Sequence, residues 1–207
     1  MKTTLYKLQL AAVLLLTAIA LVGCGEDDDD VENPDATNDQ EVITTLNMTF
    51  TPMDGSAAVT AQFRDADGDG GEAPTKTDNI ALANGVTYTL DIELLNETVP
   101  ETDEEYQIDN EIKEEAEEHQ FFFTGTAIGS VLTHAYADME STYATNNGDD
   151  LPVGISNTIT ATAAGDGTFI VTLKHQPPVN GMDVKTATSG ISDGETDIEV
   201  EFNVTVQ

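Results

Sequence analysis

The chain has 207 residues, with 39 Asp and Glu against seven Lys and Arg, a formal charge of −32, one cysteine and no tryptophan. So anionic a surface repels phosphate backbones, whose binding depends on Lys and Arg releasing counterions, and this argues against nucleic acid as a partner. One cysteine allows no internal disulfide, so the fold must hold by its apolar core.

Lys2 and Lys7 precede an apolar stretch from Leu8 to Val22, broken only by Gln9 and Thr17. These are the charged and apolar regions of a secretory signal. The stretch is short beside the roughly 20 apolar residues of a membrane span. Leu21-Val22-Gly23-Cys24 resembles a lipobox, the signal-peptidase II site of bacterial lipoproteins, and the acidic run Glu26 to Asp30 resembles a signal that sorts some Gram-negative lipoproteins to the cell surface. The resemblance implies a signal peptide over 1–23, lipidation of Cys24, and an outer-membrane, surface-exposed address. Removing Lys2 and Lys7 leaves five basic residues against 39 acidic ones, about −34, which bare anionic lipid would repel. Attachment to the lipid bilayer would then rest on acyl chains, each buried CH₂ contributing about 0.8 kcal/mol. Residues 24–41, acidic and nearly free of apolar side chains, read as a lipidated tether.

From residue 42 to residue 207 the dominant period is two. Val42, Thr44, Leu46, Met48 and Phe50 share one face, as do Val59, Ala61 and Phe63. Asn84-Gly85, between Ile80/Leu82 and the alternating run Val86, Tyr88, Leu90, Ile92 and Leu94, predicts a hairpin. In the acidic segment 101–118, Thr102 and Glu105 fit a capping box, and Ile108, Ile112 and Ala116 share a helical stripe. Adjacent like charges oppose an isolated helix there, so a short helix and an acidic strand both stay open. Phe121 to Phe123 and Val131 to Ala137 read as strands, and 138–150 as a polar loop. Ala164 to Gly167 predicts a second hairpin, joining Ile155–Ala163 to Thr168–His175. Ile198, Val200, Phe202, Val204 and Val206 close the chain on one face. About nine strands with turns at this spacing predict an all-β fold, a single antiparallel β-sandwich of immunoglobulin-like type.

Three constellations could carry chemistry. Asp65, Asp67 and Asp69, followed by Gly70, match the first half of a calcium loop, since Ca²⁺ takes six to eight oxygens from a tightly turning backbone. Lys76 stands where a bidentate glutamate would complete an EF-hand, so only a calcium-stapled loop between strands is expected; the bland reading is an Asp/Gly turn. His119 and His175, flanked by Glu115 and Glu118, offer imidazole and carboxylate, the ligands of Zn²⁺ or Cu²⁺. His134 is a third imidazole. Acid pairs such as Asp138/Glu140 or Asp149/Asp150 could serve a glycosidase, but with 39 acids such pairs arise by chance. Tyr136 and Tyr143 would have to supply any sugar-stacking platform.

The stretches Glu118–Phe123, Leu173–Pro177 and Gly194–Val200 resemble a group of uncharacterised Gram-negative surface lipoproteins, a likeness that implies the sandwich and no activity. No HExxH or phosphate loop is present. The expectation is a non-catalytic binding module, cation-binding and accessory to an outer-membrane uptake receptor. The alternatives are a structural or adhesive domain and, third, a small hydrolase.

Overall fold

A computed structural model describes residues 41–68, 71–143 and 150–207. Cys24, the signal segment and Asp69 lie outside the described residues. Ten strands form two packed sheets, the β-sandwich that the alternation predicts. One sheet has the order β3(Thr75–Lys76), β2(Val59–Arg64), β1(Thr45–Pro52), β5(Thr87–Leu95), β8(Ser156–Ala161) and β7(Leu132–Tyr136). The other has the order β4(Ile80–Leu82), β10(Glu195–Val206), β9(Gly165–His175) and β6(His119–Thr124).

The strand pattern explains the core directly. Tyr88, Leu90, Ile92 and Leu94 of β5 are buried, and Ile198, Val200, Phe202, Val204 and Val206 of β10 meet them from the other sheet's side of one apolar cluster. Phe50 of β1 and Phe169 of β9 touch edge-on across the sandwich, ring centres 6.3 Å apart. Val42 falls outside β1 and is exposed, so the first predicted strand begins later than its alternation suggests.

Both predicted hairpins are instead crossings between sheets. β5 has one edge on β1 and the other on β8, which leaves none for β4. β4 therefore pairs with β10, and in parallel, whereas the other strand pairs among the described residues are antiparallel. Likewise β8 lies between β5 and β7, so the chain after it crosses to begin β9. Gly165 and Gly167 are ladder residues of β9, opposite Val206 and Val204. Gly167 is bare because a Cβ there would strike the backbone of Ala127.

The open segment is helical. A 3-10 turn over Glu104–Tyr106 is capped by Asp103, which accepts from the Glu105 amide at 3.2 Å, in place of the predicted Thr102. An α-helix follows at Ile108–Glu114. Ile108, Ile112 and Ala116 are all buried against the core, and that burial outweighs the like-charge penalty. A second, one-turn helix at Glu140–Tyr143 lies within the stretch read as a loop.

Gly125 has φ +96, and a Cβ on it would collide with the backbone carbonyl of Thr168. Gly125→Ala combines left-handed strain with a backbone clash, so we expect a loss of about 2 kcal/mol or more in urea unfolding. An unchanged midpoint would show that β6 can shift to accept it.

Candidate metal centre

His119 opens β6 and His175 ends β9, and the antiparallel register sets them directly opposite one another. Residues so paired bring their side chains together on one face. The rings stack with centroids 4.6 Å apart and planes within 8°, both deeply buried. The two histidines of the predicted site therefore meet.

Carboxylates surround the pair. The helix ends at Glu114, and a tight turn, in which the Glu118 amide donates to the Glu115 carbonyl at 2.9 Å, leads straight into His119. This folds Glu115 back over the ring. His119 Nδ1 lies 3.2 Å from the Glu115 carbonyl and 3.9 Å from its Oε2. A carbonyl only accepts, so Nδ1 carries a proton and donates. A neutral ring then leaves the lone pair on Nε2. That atom faces Glu41 Oε1 at 3.6 Å and Asp197 Oδ2 at 4.0 Å. Glu118 lies 3.6 Å from His175 Nε2.

Glu41 and Asp197 were not legible as site residues. Glu41 sits at the end of the acidic stretch read as tether, yet it is buried. Asp197 precedes Ile198, an inward position, so alternation turns it outward. The ladder between β9 and β10 slips between Thr196 and Ile198, a β-bulge that leaves Asp197 without a partner in the ladder. Bulges re-aim side chains. The Asp197 carboxylate is fully buried. Neither of its oxygens has a hydrogen-bond partner, and the same holds for Glu41 Oε1 and His119 Nε2.

These surroundings shift proton affinities. Burial pushes the Asp197 carboxyl up to about 7, with Glu41 and Glu195 adding to the effect and His119 opposing it. Burial alone would depress His119, but Glu41, Asp197 and the Glu115 carbonyl together raise it above its ordinary value. Glu111 is also raised, by burial and by Glu41 and Glu115.

Two groups of side chains place ligand atoms within 4.8 Å of one another among the described residues: Glu115, His119 and His175, and Glu41, Glu111 and Glu115. Lone pairs of stacked rings lie in two separate parallel planes, so one ion cannot lie in the plane of both imidazoles while they stack. His119, fixed by its Nδ1 hydrogen bond, is the nitrogen ligand the geometry favours, with His175 packed on its face. Imidazole with carboxylates suits Zn²⁺ or Cu²⁺.

The other candidates are engaged elsewhere. Asp67 Oδ2 accepts from the Glu72 amide at 2.9 Å, closing an Asp/Gly turn, and Asp65 and Asp67 join no group of three converging ligands among the described residues. His134 donates to Asn157 Oδ1 at 2.9 Å and packs on Phe123. Asp138 accepts from the Gly154 and Ser156 amides and from the Tyr143 hydroxyl, whereas Glu140 pairs with Lys185, so this acid pair does not flank a shared cleft. Tyr136 donates to the Phe121 carbonyl.

No protein-family model matches this chain, and no curated protein matches it. Domains 4 and 5 of the S-layer protein SbsC are a solved structure similar to it, at 12% identity over 77% of this chain and 75% of that one, with a TM-score of 0.28. So distant a likeness bears on neither ligand nor activity.

The sign of the pH dependence follows from the shifts. The folded state holds a proton on Asp197 up to about pH 7, while the unfolded chain releases it near its ordinary value of 3.8. Stability must therefore fall as pH rises across that interval. The raised His119 acts in the same direction, its contribution present below the ordinary histidine range and lost above it. In chelator the protein should melt several degrees higher at pH 5 than at pH 8. Asp197→Asn should flatten that slope, and a melting temperature that rose with pH would contradict the assignment.

Proposed function

We propose that this protein is a lipid-anchored outer-membrane surface lipoprotein whose sandwich is a non-catalytic module binding a divalent transition metal. Its place would be beside an uptake receptor, where an acidic surface concentrates cations. The observation that carries the reading is the buried His119 Nε2 facing Glu41 Oε1 and Asp197 Oδ2, with no hydrogen bond on any of the three atoms. A buried ring nitrogen and carboxylate oxygens set together without hydrogen bonds call for a cation among them, a metal ion or a proton. A metal ion fits that demand, and the carbonyl behind Nδ1 fixes the ring as metal-bound histidines require.

The parallel stack of His119 and His175 favours a second reading, in which a proton is the cation and the cluster is an internal charge network of a structural or adhesive domain. Calorimetric titration of the chelator-stripped protein with Zn²⁺ separates the two. Stoichiometric uptake that His119→Ala abolishes supports the metal, and absence of heat supports the proton.

The anchor has its own test. Cys24→Ser is expected to move the protein from the membrane fraction to the soluble one. If the variant stays with the membranes, lipidation is not what holds it.

A further inference from the structure

We infer that the free edge of β7 pairs with the same edge of a second copy of this chain, antiparallel about a two-fold axis at Ala135. The inference is independent of the metal reading. A sheet edge carries unpaired backbone groups, which proteins blunt with short strands, charges, proline or a covering segment. Among the described residues the two sheets end in β3, β7, β4 and β6. β3 and β4 have two and three residues, and β3 carries Lys76. β6 is covered, its Phe121 amide donating to the Val153 carbonyl at 2.7 Å. β7 has five residues and neither a charge nor a proline.

Two bonds fix which way its backbone points. The Val131 carbonyl accepts from the Thr162 amide at 2.8 Å, and the Ala137 amide donates to the Ser156 carbonyl at 3.0 Å. Backbone groups alternate between the two sides of a strand, so Thr133 and Ala135 also bond toward β8, whereas Leu132, His134 and Tyr136 bond toward the free edge. Leu132 is engaged there, donating to the Ala127 carbonyl and accepting from the Gly129 amide. The amides and carbonyls of His134 and Tyr136 meet no backbone partner on that side among the described residues. Their rings turn inward onto Phe123, which leaves Thr133 and Ala135 exposed on the outer face.

Charge selects the occupant. With 39 acidic residues against seven basic ones, two copies repel one another across most of their surface. Neither 119–137 nor 151–165 holds any Asp, Glu, Lys or Arg, and these stretches contain β7 and β8. At this edge two copies meet without opposing like charges. The open positions are also self-complementary. His134 set opposite the partner's Tyr136, and Tyr136 opposite the partner's His134, lets each pair exchange both of its backbone bonds. Ala135 then faces its own copy across the axis, with about 4.5 Å between Cα atoms, a gap that a methyl group fits. The pairing joins the two six-stranded sheets into one.

Sedimentation equilibrium of the full-length protein in a density-matched detergent tests this. The mass should rise from one chain toward two with concentration, and more readily in high salt, which screens the remaining acidic repulsion. Ala135→Glu sets two carboxylates against each other across the axis and should weaken association by at least about tenfold. Ala135→Ser should associate as the parent does, and circular-dichroism melts check that both variants fold. Amide exchange at His134 and Tyr136 should slow several-fold on association. A single chain at every concentration and salt overturns the inference. Association that ignores Ala135→Glu, or leaves those two amides unprotected, places the contact on another face and overturns it equally.

Discussion

Zinc added to the chelator-stripped protein at pH 7.5 should raise its melting temperature by about 5–10 °C. A ligand at a hundred times its dissociation constant stabilises the native state by about 2.7 kcal/mol, and a domain of this size gains about 2–4 °C per kcal/mol. His119→Ala should abolish the shift, because it removes the nitrogen ligand. His175→Ala should retain most of it, since the stacked ring supports His119 and cannot turn its lone pair to the same ion without leaving the stack. Asp197→Asn and Glu41→Gln should each weaken binding, whereas Glu118→Gln should do little, its carboxylate being partly exposed and directed at His175. At pH 5 the shift should shrink, because a proton then occupies the cluster. If zinc stabilises His119→Ala as much as the parent, the ion binds elsewhere. If zinc stabilises neither, the cluster is a proton network.

What the sequence discloses and what it hides follow from the range of each interaction. Alternation in β5 and β10 is local, because one wet face and one buried face write themselves into successive residues. Asn84-Gly85 is a turn without being a hairpin, and Gly165 and Gly167 of the second signal lie within β9 itself. Asn84-Gly85 reports that the backbone reverses, but the free edge it joins depends on β1 and β8 having claimed β5. The helix at Ile108–Glu114 stayed open because its acids and its apolar stripe argue in opposite directions, and only the core it packs on decides between them. His119 and His175 were recognisable as ligand types, while their meeting depends on the β6–β9 register, a property of two strands far apart in the chain. Asp197 was hidden by the bulge, which reverses the face that alternation assigns. Glu41 was hidden by its neighbours, one acid at the end of an acidic run. The residues that complete the site are those whose local pattern points away from it.

Replacing Lys185 is expected to do more damage than replacing any surface cation. Its ammonium lies 2.8 Å from Glu140 Oε1 and donates to the Ala116 carbonyl at 2.6 Å, and both charged side chains are almost wholly buried. Burial lowers the Lys185 pKa, with Glu140 opposing that fall. A buried pair contributes little relative to apolar replacements, but removing one partner strands the other charge, at about 3–5 kcal/mol. Lys185→Met should therefore lower the melting temperature by about 10 °C or more. The double variant Lys185→Met/Glu140→Leu should recover most of that loss. Lys185 sits in the long connection between β9 and β10, so it ties that connection both to the helical turn at Glu140–Tyr143 and to Ala116. Ala116 follows Glu115, whose carbonyl fixes His119. Loosening the tie should slacken the turn that holds the imidazole, so Lys185→Met should also weaken Zn²⁺, by roughly tenfold as for other supporting contacts. Unchanged zinc affinity in a folded Lys185→Met protein would show that the turn at Glu115 holds without it. A double variant no more stable than the single one would show that the cost lies in lost packing and not in a stranded charge.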